Sequence, residues 1–121
     1  MTPGSIGGWL VFEGLYVGPT EEILFRGLLI GYLSVVLPGA IRVGRFAISW
    51  AAIVSALLFA LGHVQPIWWQ ALFQMTYAFV LGIFYAYWFE QTRSVLVPAL
   101  AHNVTDLAAT VTGFAVAAFW H

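Results

Sequence analysis

Long apolar runs punctuated by Pro, Gly and Arg organise this chain. A stretch of ~20 apolar residues crosses a hydrocarbon core, and four segments qualify. The first runs from about Thr20 to Leu37 and ends at Pro38-Gly39. Ahead of it, Gly7 to Val17 is apolar except for Glu13 and too short to span alone, while Gly18-Pro19 marks a kink or a fresh helix start. The second covers about Arg45 to His63 and closes at Gln65-Pro66. The third, Ile67 to Glu90, opens on Trp68 and Trp69 and closes with Tyr85, Tyr87 and Trp88, a distribution that suits two interfacial aromatic belts. The fourth runs from Ser94 to about Trp120. With no internal repeat or linker, residues 1–121 read as a single domain. The expected fold is an all-α membrane protein, a bundle of about four transmembrane helices plus a broken or short N-terminal helical segment.

Composition strengthens that picture: 62% of residues are hydrophobic, 7% are charged and Lys is absent. A soluble domain needs roughly a quarter of its residues charged to cover its surface. The net charge of −1 and the absence of a basic patch beyond Arg42 and Arg45 argue against a nucleic-acid partner. Cysteine is absent, which removes disulfides and thiolate sites. The start Met1-Thr2-Pro3-Gly4-Ser5 lacks the basic region and cleavage site of a signal peptide, so a multi-pass integral membrane protein is expected. Arg42, Arg45 and Arg93 fall on one side of the predicted spans, which the positive-inside rule makes cytoplasmic.

Against this apolar background, three polar pairs spaced i,i+4 stand out: Glu22 with Arg26, Phe59 with His63, and His102 with Asp106. Each pair presents its groups from one face of its helix. Ionisable groups inside a membrane are costly and point to function by default. The plain alternative for Glu22 and Arg26 is an ion pair that fixes helix packing. Glu21, however, points about 100° away from Glu22 and has no cation in its own helix. A desolvated carboxylate without a partner suits general acid–base chemistry, so Glu21 is the preferred catalytic residue. His63 ends the second span one turn after Phe59, whose ring can wall a pocket; a histidine there is also explicable as an interfacial residue. His102 lies ~12 Å into the fourth span, where it needs a partner, and Asp106 one turn on can fix its tautomer. Asn103 and Thr105 are taken as packing residues, and Gln70, Gln74 and Tyr77 as a stripe joining helices.

Taken in order, Glu21-Glu22-x-x-x-Arg26, Phe59-x-x-x-His63 and His102-x-x-x-Asp106 resemble the motifs of the CPBP family, the CAAX-protease and bacteriocin-processing (Abi) group of intramembrane proteases. Gly27 and Pro98 also fit, and the resemblance extends over about Pro19 to Leu107. It implies that Glu21 activates water, that Glu22 and Arg26 support it, and that His63 and His102 are the other essential groups. Asp106 stands where familiar eukaryotic-type members have Asn; an ionised Asp cannot donate to an oxyanion, so it fits better as an orienter of His102. Members usually have further membrane helices before the first motif, so the chain is expected to be truncated at its N-terminus or completed by another copy in a homo-oligomer.

The resemblance implies hydrolysis of a hydrophobic or prenylated, CAAX-like peptide substrate among membrane lipids, in a prokaryotic cell membrane. A glutamate mechanism without a cofactor is favoured. A metal version would use His63, His102 and Glu21 as ligands to a divalent ion such as zinc. Two non-enzymatic alternatives are a bacteriocin-immunity or other membrane interaction protein, and a haem or ion carrier with His63 and His102 as ligands. The simplest span boundaries leave Glu21 and His63 some ~10–15 Å from His102 in depth. Convergence therefore predicts that Gly8 to Leu37 is one long broken helix.

Overall fold

The computed structural model describes residues 3–119. From 3 to 36 the backbone stays helical in five consecutive segments: α1 (Pro3–Val11), a π-helical segment (Phe12–Val17), α2 (Gly18–Glu22), a second π-helical segment (Ile23–Ile30) and α3 (Gly31–Val36). Every junction residue keeps right-handed helical dihedrals. The expected long helix from Gly8 is therefore present, though widened to π spacing in two places rather than broken at Gly18-Pro19. Pro19 lacks the N–H that would bond back into the preceding turn, and the first π segment ends at Val17, just before Gly18-Pro19. The second begins at the residue after Glu22.

Beyond Pro38 the all-helical expectation fails locally. Strands β1 (Ala40–Val43) and β2 (Phe46–Ser49) pair antiparallel, with Val43 opposite Phe46 and Ile41 opposite Ile48. Ile41, Val43, Phe46 and Ile48 alternate with smaller or charged residues, the period-two pattern of a strand. Gly44, at φ +59°, supplies the left-handed turn residue between them. The expected second span is shortened accordingly. α4 covers only Trp50–Leu61, 12 residues or ~18 Å, capped by Ser49 Oγ accepting from the Ala52 N–H.

α5 (Trp68–Thr92) is, among the described residues, the one helix long and apolar enough to cross a membrane by length and composition. It ends at Arg93, whose left-handed φ of 57° turns the chain into α6 (Leu96–Phe119). α4 packs along α5 through small residues: Ala52, Ser55, Ala56 and Ala60 face Ala78, Gly82 and Ala86, all buried. This stripe, not Gln70, Gln74 and Tyr77, joins the helices; Tyr77 is 41% exposed. The hairpin base docks at the C-terminal end of α5, where the Ser49 N–H donates to Glu90.

Burial is inverted relative to a water-soluble protein. Glu22, Arg26, Ser55, His102 and Asn103 are buried, while Leu15, Val35, Leu72, Val104 and Phe119 are exposed. A surface of this kind is stable only against an apolar solvent, because apolar groups drive burial from water and charged groups resist burial without partners.

Candidate active site

The long N-terminal helix and α6 meet where both backbones are bare. Gly18 faces Ala99 and Asn103, and a Cβ added to Gly18 would lie 2.5 Å from the Ala99 carbonyl oxygen. The Gly18 N–H donates to Asn103 Oδ1 at 2.8 Å. One turn further along each helix, this close approach brings Glu21 and Glu22 against His102.

Glu22 and Arg26 are both wholly buried, with Oε1 3.0 Å from Nη1. Their contact is one of charge proximity rather than a well-aligned hydrogen bond, since Arg26 Nη1 and Nε make none. The guanidinium is fixed otherwise. Nη2 donates to the Gly82 carbonyl of α5 at 3.1 Å, and its carbon sits 4.6 Å from the Phe59 ring centroid and 5.4 Å from that of Tyr85. From α4, Ser55 Oγ donates to the Phe25 carbonyl inside the second π segment, so that segment is tied to α4.

His102 is the centre of the group. Its Nδ1 is 2.9 Å from Glu22 Oε1, and its Nε2 is 3.3 Å from Asp106 Oδ2 and 3.9 Å from Glu21 Oε2. Tyr85 stacks on the imidazole at 5.1 Å, and Phe59 meets it edge-on at 5.5 Å. Nε2 thus faces two carboxylates. Burial divides the acids. The Glu22 side chain is fully covered, whereas those of Glu21 and Asp106 keep 33% and 26% exposure. Glu21 Oε2 and Glu22 Oε2 accept no hydrogen bond from the described residues.

Six of the seven residues singled out in the sequence thus converge directly on one another: Glu21, Glu22, Arg26, Phe59, His102 and Asp106. The anticipated depth gap between Glu21 and His102 is absent, because the helix begun at Pro3 carries Glu21 to mid-length. His63 joins through Phe59, its ring 4.6 Å from that of Phe59 and its Nδ1 2.8 Å from the Phe59 carbonyl. As placed, the expected set of His63, His102 and Glu21 does not form a zinc site: His63 Nδ1 is engaged by the Phe59 carbonyl, and among the described residues no group of three His, Asp or Glu side chains is disposed to hold a metal ion.

Three contributors, Tyr85, Ser55 and the Gly82 carbonyl, escaped the sequence reading, whereas Asn103 packs between helices as expected. Tyr85, expected in an interfacial belt, is buried against His102, its hydroxyl donating to Thr105 Oγ1 at 3.0 Å. Asn103, Ser55 and the Gly82 carbonyl hold the helices in register. A signal existed for Tyr85: Ala78, Gly82 and Ala86 recur every fourth residue, marking the face on which Tyr85 lies.

An apolar-surfaced helical protein that buries an acid–imidazole–guanidinium cluster is suited to acid–base chemistry within a membrane. The family pattern of Rce1-like type II CAAX prenyl endopeptidases matches residues 3–108, so the chain belongs to that family of membrane-embedded CAAX proteases, within the CPBP group. No individual curated protein and no solved structure matches it.

Proposed function

We propose that this protein is a multi-pass intramembrane endopeptidase that cleaves a peptide bond in a lipidated, CAAX-like or otherwise hydrophobic substrate, with Glu21 as the base that activates water. One observation carries the reading: of two adjacent acids, Glu22 is buried against Arg26 and His102, while Glu21 accepts no hydrogen bond at Oε2 from the described residues, is partly open and lies 3.9 Å from His102 Nε2. Glu21 takes a proton from water as its oxygen attacks the scissile carbonyl carbon. The carbonyl π electrons move to oxygen, giving an oxyanion stabilised by protonated His102 and by His63. The C–N bond then breaks, the nitrogen takes the proton held by Glu21, and a carboxylic acid and an amine are released, the acid's proton passing to the amine as the products leave as carboxylate and ammonium.

Glu22 holds Nδ1 of His102 and Arg26 balances Glu22, so the imidazole is aimed before substrate arrives. Asp106 orients Nε2. No step passes through a metal. The long N-terminal helix, α5 and α6 cross the bilayer in this reading, with α4 a short embedded helix. The hairpin carrying Arg42 and Arg45 and the turn at Arg93 lie on the cytoplasmic side.

Cleavage of a prenylated test peptide by purified protein, with and without a strong chelator, tests the reading. Glu21→Ala and His102→Ala are each expected to reduce kcat by at least ~10²-fold, and the chelator to change nothing. Undiminished cleavage by both variants refutes the catalytic assignment, and loss of activity with the chelator refutes the metal-independent scheme.

A further inference from the structure

On the side of α5 opposite the site, the hairpin leaves a groove of about 340 Å³ lined by Ile41, Val43, Phe46, Ile83, Phe84 and Trp88. Its walls are almost wholly apolar, and its volume falls in the range of pockets that take up small molecules. The strand register puts Ile41, Val43, Phe46 and Ile48 on a common face, and Phe46 reaches Tyr87 with ring centroids 6.1 Å apart. Arg42 stands on the other face of β1, and Arg45 sits in the turn with its guanidinium 5.3 Å from the Phe46 ring centroid. Both arginines belong to exposed residues, and among the described residues neither forms an ion pair or donates a hydrogen bond. The nearest acid at this end, Glu90, accepts from the Ser49 N–H.

We propose that this groove is a binding site for an anionic phospholipid, with one acyl chain along the apolar wall and the phosphate between Arg42 and Arg45. The chemistry of the two parts selects the occupant. A neutral lipid would fill the groove equally well but leave two unpaired guanidinium groups beside it. A soluble anion would meet the arginines but not the apolar wall. A lipid with a net negative headgroup satisfies both, and Arg binds phosphate through its planar fork. The site is independent of whether Glu21 and His102 cleave peptides, since its walls and its charges lie outside that cluster.

Trp88 in the groove wall gives a direct readout. The full chain is placed in nanodiscs of phosphatidylcholine doped with equal fractions of either brominated phosphatidylglycerol or brominated phosphatidylcholine, and quenching lost in Trp88→Phe is taken as the groove signal. Brominated phosphatidylglycerol should quench Trp88 preferentially, by about fivefold per arginine engaged. The preference should fall in Arg42→Gln/Arg45→Gln and, in the unaltered protein, with rising salt. Equal quenching by the two lipids overturns the proposal, as does a preference that survives both the double variant and high salt. Displacement of the quencher by a prenylated peptide as effectively as by unlabelled phosphatidylglycerol would assign the groove to the substrate's isoprenoid instead, and would equally overturn it.

Discussion

Gly18→Ala places the smallest perturbation at the contact on which the site depends. The new Cβ would stand 2.5 Å from the Ala99 carbonyl oxygen, whereas ordinary van der Waals contact begins at 3.4 Å. The obstacle on Ala99 is backbone, so it cannot rotate away; α2 and α6 must separate by about 0.9 Å, or the helix must tilt. The Gly18 N–H bond to Asn103 is lost in either case. Overpacking of this size costs about 1–3 kcal/mol, and the lost bond adds ~1 kcal/mol. The larger consequence is geometric, because the same displacement opens the 2.9 Å contact between Glu22 and His102 Nδ1 beyond hydrogen-bond range. Misplacement by ~1 Å can cost about 10²-fold in rate. Thermal unfolding in detergent and kcat/KM on a prenylated test peptide measure the two effects. A Gly18→Ala protein that unfolds at the wild-type temperature and cleaves within about threefold of the wild-type rate would refute the close crossing as the device that assembles the site.

Three further outcomes follow from the same contacts. Arg26→Met should destabilise the protein by about 3–5 kcal/mol, because it strands a fully buried Glu22; combining it with Glu22→Leu should restore most of that stability in chemical unfolding, though not activity. Ser55→Ala should cost about 1–3 kcal/mol in the same measurement, since it removes the donor to the Phe25 carbonyl. Tyr85→Phe keeps the ring stacked on His102 and loses only the hydrogen bond to Thr105, so unfolding should register ~1 kcal/mol and cleavage should remain within a few fold.

The chemistry-bearing residues were legible in the sequence because a membrane makes polar groups conspicuous. Glu22, Arg26, His102 and Asp106 are expensive wherever hydrocarbon surrounds them, and an i,i+4 spacing says which of them share a face. What helix periodicity could not carry was depth and register between helices. Glu21 reaches His102 because the N-terminal helix passes through Pro19 after widening to π spacing, and its second π segment is tied to α4 by the Ser55 bond to the Phe25 carbonyl. The hairpin at 40–49 was hidden by its length. Two strands of four residues have a weak signal beside long apolar runs, and Phe46, Ala47 and Ile48 read equally well as the start of a helix. Tyr85 was misplaced for a related reason: aromatic residues near a span's end suit the interface by composition, and only the position of Gly82 and Ala86 on α5 tells that Tyr85 turns inward.

Kinetics of a double-mutant cycle between Glu21 and His102 test the proposed chemistry most directly. Residues that act as one catalytic unit are strongly non-additive: once one is removed, little remains for the other to contribute. With Glu21→Gln, His102→Gln and the pair assayed on one prenylated peptide, the double variant should be no slower than the worse single variant by more than about threefold. Losses that multiply, so that the double variant falls below either single one by the full effect of the other, would show that Glu21 and His102 act independently and would contradict a shared site.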